Sequence, residues 1–151
     1  MSATVQRPRR HTTRRVGYLV AAVVDVVLLV LINVEPGWQA APVLTDAAAG
    51  VVVVVDISLA IALAVNLLCV FFARPWLARS GEVVSTAAGL AAVSTVLAVF
   101  PFRFGDPAVD WAAVVRGGLI SVVAVVSIAL VIQLVKLVLA VRFRRAHGRW
   151  E

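Results

Sequence analysis

Four long apolar runs, broken by short stretches rich in charge, proline and glycine, dominate the pattern along this chain. The first extends from about Val16 to Val34. It follows the basic stretch Arg7 to Arg15 and is closed by Glu35-Pro36-Gly37, whose proline and glycine stop a helix. A second opens at Thr45 or Asp46, both good N-caps, and runs through Val51–Val55 to Phe72. The third covers about Gly81 to Phe100, with Ser80 as a cap and Pro101 as its stop. The fourth follows Asp106-Pro107, an N-cap with a proline at the first helical position, and continues to about Arg142.

A helix needs about 20 mainly apolar residues to cross a hydrocarbon core about 30 Å thick, and all four runs qualify. Taken alone, the valine run would suit a buried strand. It continues well past strand length, however, and an isolated strand in lipid leaves its backbone unpaired. The pattern therefore predicts helices over about 16–34, 46–72, 81–100 and 107–142, the last longer than a bilayer requires and so tilted or protruding. Residues 1–15 and 143–151 are left as basic tails on a transmembrane domain of residues 16–142.

Composition sharpens the same conclusion. Of 151 residues, 62% are hydrophobic and 15% charged, too little polar surface to enclose a soluble core of this length. The fold class is all-α, an integral membrane bundle of four transmembrane helices with short loops. Aromatic residues give an independent check, because Trp and Tyr favour the membrane–water boundary. Tyr18, Phe71, Phe72, Trp76, Phe143 and Trp150 fall near one face of the bilayer, and Trp38, Phe100, Phe102, Phe104 and Trp111 near the other.

The net charge of +6 acquires meaning only after the spans are drawn. Eleven arginines (Arg7, Arg9, Arg10, Arg14, Arg15, Arg74, Arg79, Arg142, Arg144, Arg145 and Arg149) share the side of the termini with Glu82 and Glu151, a net +9. Opposite them Arg103 stands against Glu35, Asp46, Asp106 and Asp110, a net −3. Within the spans Arg116 and Lys136 cancel Asp25 and Asp56. By the positive-inside rule both termini are cytoplasmic, which implies a multi-pass protein of the plasma membrane. Arginine clusters also mark nucleic-acid binding, but these flank membrane helices directly, so anionic lipid headgroups are the expected partner and nucleic acid is not. Arg9-Arg10 before an apolar run imitates a secretory signal. Against cleavage, that run is longer than a signal core and carries Asp25 in its middle. The preference for arginine over lysine and the abundance of alanine and valine point to a high-GC bacterial genome.

Ionisable groups inside a span are functional-site candidates by default, because insertion of each costs several kcal/mol. Asp25 lies nine residues from the end of the first run at Val34, and Asp56 ten from the start of the second at Asp46, depths of roughly 13 and 15 Å. Arg116 is ten residues from Asp106. These depths permit a single layer of Asp25, Asp56 and Arg116, although nothing in the sequence fixes which helix faces meet. Such a layer has two readings: a buried ion pair that ties helices together, or a proton-carrying site as in ion-coupled transporters. Toward the other face Asn66, Gln133 and Lys136 form a second polar layer, suited to interhelical hydrogen bonds and, for Lys136, to snorkelling. The hairpin from Glu35 to Pro42 offers Glu35 and Trp38 as a binding lip or as an interfacial anchor. The third helix, with Ser85, Thr86, Ala87, Ala88, Gly89, Ala91 and Ala92, has the small residues that allow close packing in lipid. Gly117-Gly118 would kink the fourth helix or admit a neighbour's backbone.

Catalytic chemistry is not expected. No P-loop, nucleophile elbow or HExxH occurs, and no extramembrane segment is long enough for a catalytic domain. Cys69, the lone cysteine, cannot form an internal disulfide, and with His11 and His147 in opposite tails there is no metal set and no implied cofactor. Two functions remain open: an accessory membrane protein acting by association, as a homo-oligomer or in a larger membrane complex, and a proton- or cation-coupled small transporter or channel working as an oligomer through Asp25 and Asp56.

Overall fold

The computed structural model describes residues 9–72, 74–105 and 109–147. They form four helices, α1 (Arg9–Asn33), α2 (Ala48–Phe71), α3 (Pro75–Val99) and α4 (Trp111–His147), with a single 3-10 turn at Trp38–Ala40. Each helix contains a segment long and apolar enough to cross a membrane: Arg15–Asn33, Ala48–Phe71, Trp76–Val99 and Trp111–Arg142. Among the described residues the only β-type pairing is an isolated antiparallel bridge between Leu44 and Phe102. The protein is an all-α, four-helix membrane protein.

The first three helices end within one residue of the expected positions, but the helix starts differ from those the sequence predicts, each for a local reason. The first helix begins at Arg9, not near Val16, because arginine is a good helix former and continues the helix out of the apolar segment. For α2, neither Thr45 nor Asp46 caps through its side chain. The helix starts at Ala48, with Ala47 at the cap position, while the Thr45 hydroxyl donates to the Pro101 carbonyl at 3.3 Å. The third helix starts six residues before Gly81, at Pro75, which occupies the first turn where a missing N–H costs nothing. Ser80 is accordingly inside the helix, its hydroxyl donating to the carbonyls of Trp76 and Leu77, and Arg79 lies on α3 instead of in a loop. For α4, the proposed cap at Asp106-Pro107 falls outside the described residues. The helix starts at Trp111, and Asp110 caps it by accepting a 2.9 Å hydrogen bond from the Ala113 N–H.

Helices pack in chain order. Interfaces join α1 to α2, α2 to α3, and α3 to α4, and among the described residues α1 and α4 share no packed interface. The small-residue helix α3 thus packs against two neighbours, α2 and α4. One close approach is at Gly81, where an added Cβ would lie 2.5 Å from Val65 Cγ1 of α2. The Ser58 hydroxyl on α2 adds a polar link, donating to the Ala88 carbonyl of α3 at 2.9 Å. At Gly117 and Gly118 an added Cβ would meet nothing within 4 Å, so neither admits a neighbour, and α4 runs unbroken through both.

Little is enclosed. Among the described residues the buried apolar side chains are Ala22, Ala48, Val51, Cys69 and Ala92, and none belongs to α4. Val125, 66% exposed, and Ile128, 61% exposed, represent a surface that would be untenable in water and is ordinary against acyl chains.

Candidate functional site

The carboxylates within the spans are held by amides across the α1–α2 hairpin. Asn66 Nδ2 on α2 donates to Asp25 Oδ2 on α1 at 2.8 Å. Eight residues along α1, Asn33 Nδ2 donates to Asp56 Oδ1 on α2 at 2.9 Å, and to its own helix at the Leu29 carbonyl at 3.0 Å. The roles alternate: α1 supplies the acid of one clamp and the amide of the other. Both pairs are nearly symmetric about residue 45, as antiparallel neighbours joined by one loop require.

This geometry replaces the single layer of Asp25, Asp56 and Arg116. Asp56 lies level with Asn33, which puts it about 12 Å along the α1 axis from Asp25. The depth count assumes that α1 ends where α2 begins. In the structure, the first two turns of α2 rise past the end of α1, and the loop carrying the 3-10 turn folds back alongside them. Arg116 belongs to neither clamp. With α4 starting at Trp111, it lies only five residues into the helix, where its guanidinium carbon sits 4.6 Å from the centre of the Phe100 ring. Among the described residues it makes no ion pair.

The second layer is likewise dispersed. Asn66 is engaged with Asp25, whereas Gln133 and Lys136 are on α4, which packs on α3 and has no packed interface with α2 among the described residues. Lys136 is exposed at the helix surface. Gln133 Oε1 is shielded and lacks a hydrogen-bond donor, the one such side-chain atom among the described residues.

At the end of the bundle opposite the termini, here the distal end, the two loops are fastened together. The Thr45 N–H donates to the Pro101 carbonyl at 3.0 Å and the Arg103 N–H to the Val43 carbonyl at 2.8 Å, flanking the Leu44–Phe102 bridge. Phe100 ends α3 in the left-handed region at φ 45°, which turns the chain into Pro101 and brings its ring edge-on to Phe102 at 5.4 Å, with Phe104 stacked beyond at 6.1 Å. Of the two lip candidates, Glu35 is exposed and Trp38 is half-buried, forming one wall of an apolar recess of 190 Å³ below the fastened loops.

Asn33, Phe100 and Phe102 are site residues that the sequence pattern alone does not single out. For Asn33 a signal exists: an amide and an acid equidistant from a hairpin centre are placed level by the hairpin itself. No group of three or more potential metal ligands occurs among the described residues. No protein-family model matches this chain, and no curated protein or solved structure is significantly similar to it.

Proposed function

We propose that this protein is a non-catalytic component of the cell membrane that acts by associating, with further copies of itself or within a larger membrane complex. The observation that carries this reading is the open row of helices. A closed bundle of four would pack α1 against α4, yet among the described residues α4 packs on α3 alone and none of its side chains is buried within its own chain. The clamps support the same reading from the other side. Each carboxylate has a dedicated amide donor from the neighbouring helix, so Asp25 and Asp56 work as register devices for the α1–α2 hairpin through interhelical hydrogen bonds. Charge bias orients the molecule with both termini in the cytoplasm, the basic tails lying against anionic headgroups.

Disulfide and bifunctional cross-linking in intact membranes tests the association. Cysteines placed singly at Val125, Ile128 and Val131, on the exposed surface of α4 and with Cys69→Ser as background, should yield adducts of higher mass, strongest at positions sharing one helical face. A chain that stays monomeric at every position, in membranes and after gentle solubilisation, would contradict it.

A further inference from the structure

The recess beneath the distal loops is lined by apolar side chains alone, among them Ile32, Trp38, Leu44, Val52, Val96 and Phe102. An apolar recess of this size suits an apolar guest. In a bilayer the abundant guest is an acyl chain, but a chain gains little by leaving one apolar environment for another, so the recess by itself selects nothing. Selection requires a polar group within reach of the same lipid. Phe102 lines the recess, Phe100 meets Phe102 at 5.4 Å, and the Arg116 guanidinium lies 4.6 Å from the Phe100 ring. That guanidinium is exposed, makes no ion pair among the described residues, and retains the N–H donors that suit phosphate oxygens.

We propose that the recess and Arg116 together form a site for one anionic phospholipid of the leaflet at the distal end, with the phosphate held by the Arg116 guanidinium and a segment of acyl chain seated beside Trp38. The surroundings make this specific. Glu35, Asp46 and Asp110 also lie at the distal end, so general electrostatics there repels anionic lipid, and enrichment of such a lipid beside Trp38 must come from a local cation.

Trp38 is the reporter. In a chain carrying Trp76→Phe, Trp111→Phe and Trp150→Phe, it is the only tryptophan left. The protein is reconstituted into phosphatidylcholine vesicles containing a minor fraction of lipid brominated on its acyl chains, either phosphatidylglycerol or phosphatidylcholine, since bromine quenches tryptophan on contact. The site predicts stronger quenching of Trp38 by the brominated phosphatidylglycerol, corresponding to about fivefold local enrichment for one engaged arginine. Arg116→Gln should abolish the difference, Arg116→Lys should retain part of it, and Arg103→Gln, which removes an equal charge from the same end, should leave it intact. Because Arg116 also braces Phe100, helicity and thermal unfolding are followed in parallel. Val52→Phe, which fills the recess without touching that contact, should reduce quenching by both brominated lipids. Equal quenching by the two lipids in the unaltered site overturns the proposal, as does a preference that survives Arg116→Gln or disappears with Arg103→Gln.

Discussion

At the scale of single residues, the two clamps are not equivalent to ion pairs. In each clamp one carboxyl oxygen accepts a hydrogen bond from a neutral amide, with no countercharge paired to it among the described residues, so replacing the acid by the isosteric amide preserves the shape and much of the bonding. Asn66→Leu removes the donor and leaves the Asp25 carboxylate without a partner, which should cost about 1–3 kcal/mol. Asp25→Asn should cost no more than about 0.6 kcal/mol, the mean value of an interhelical hydrogen bond in lipid. Reversible unfolding in mixed micelles would measure both, and a carboxylate acting through its charge would reverse their order. In the sequence, Asp25, Asp56 and Asn66 are visible as exceptions in apolar runs. Their partners are not, because depth alone leaves undecided which faces meet, and level helix ends would place Asp56 about 12 Å from its position in the structure.

Among the elements, local chemistry explains both what can be read and what cannot. Every apolar run is a helix, since lipid leaves the backbone no alternative. Boundaries move where two signals compete: Ser80 has the chemistry of a cap, but Pro75 starts α3, and Asp106 precedes a proline, but it is Asp110 that bonds the first turn of α4. Asp110→Ala should therefore destabilise α4 by about 1 kcal/mol, while Asp46→Ala, at a position that bonds no helix N–H through its side chain, should leave α2 unchanged. Thermal unfolding with far-ultraviolet circular dichroism distinguishes the two. The α2–α3 interface gives a sharper contrast. Gly81→Leu forces a side chain onto Val65 and should lose about 1–3 kcal/mol, whereas Gly118→Ala, facing open space, should gain several tenths through helix propensity. Equal effects at the two glycines would mean that α2 and α3 are not in close contact there.

For the molecule as a whole, charge bias and helix count are legible because both are sums over many residues, which one misplaced boundary does not alter. Reporters fused after Glu151 and within residues 39–43 should report opposite sides of the membrane, the fusion after Glu151 on the cytoplasmic side. The open order of packing is not legible, since a face toward lipid and a face toward another subunit have the same composition. The proposed association rests on that openness together with the clamps. A carrier would need Asp25 and Asp56 to exchange protons along one path, yet each is bonded by its own amide, and about 12 Å of helix separates the two layers. The most direct measurement is proton flux into liposomes loaded with an internal pH dye, comparing the unaltered protein with Asp25→Asn and Asp56→Asn at equal, verified incorporation. Clamped carboxylates predict that all three hold an imposed pH gradient as long as protein-free vesicles do; a flux carried by the unaltered protein and abolished by either substitution would contradict it.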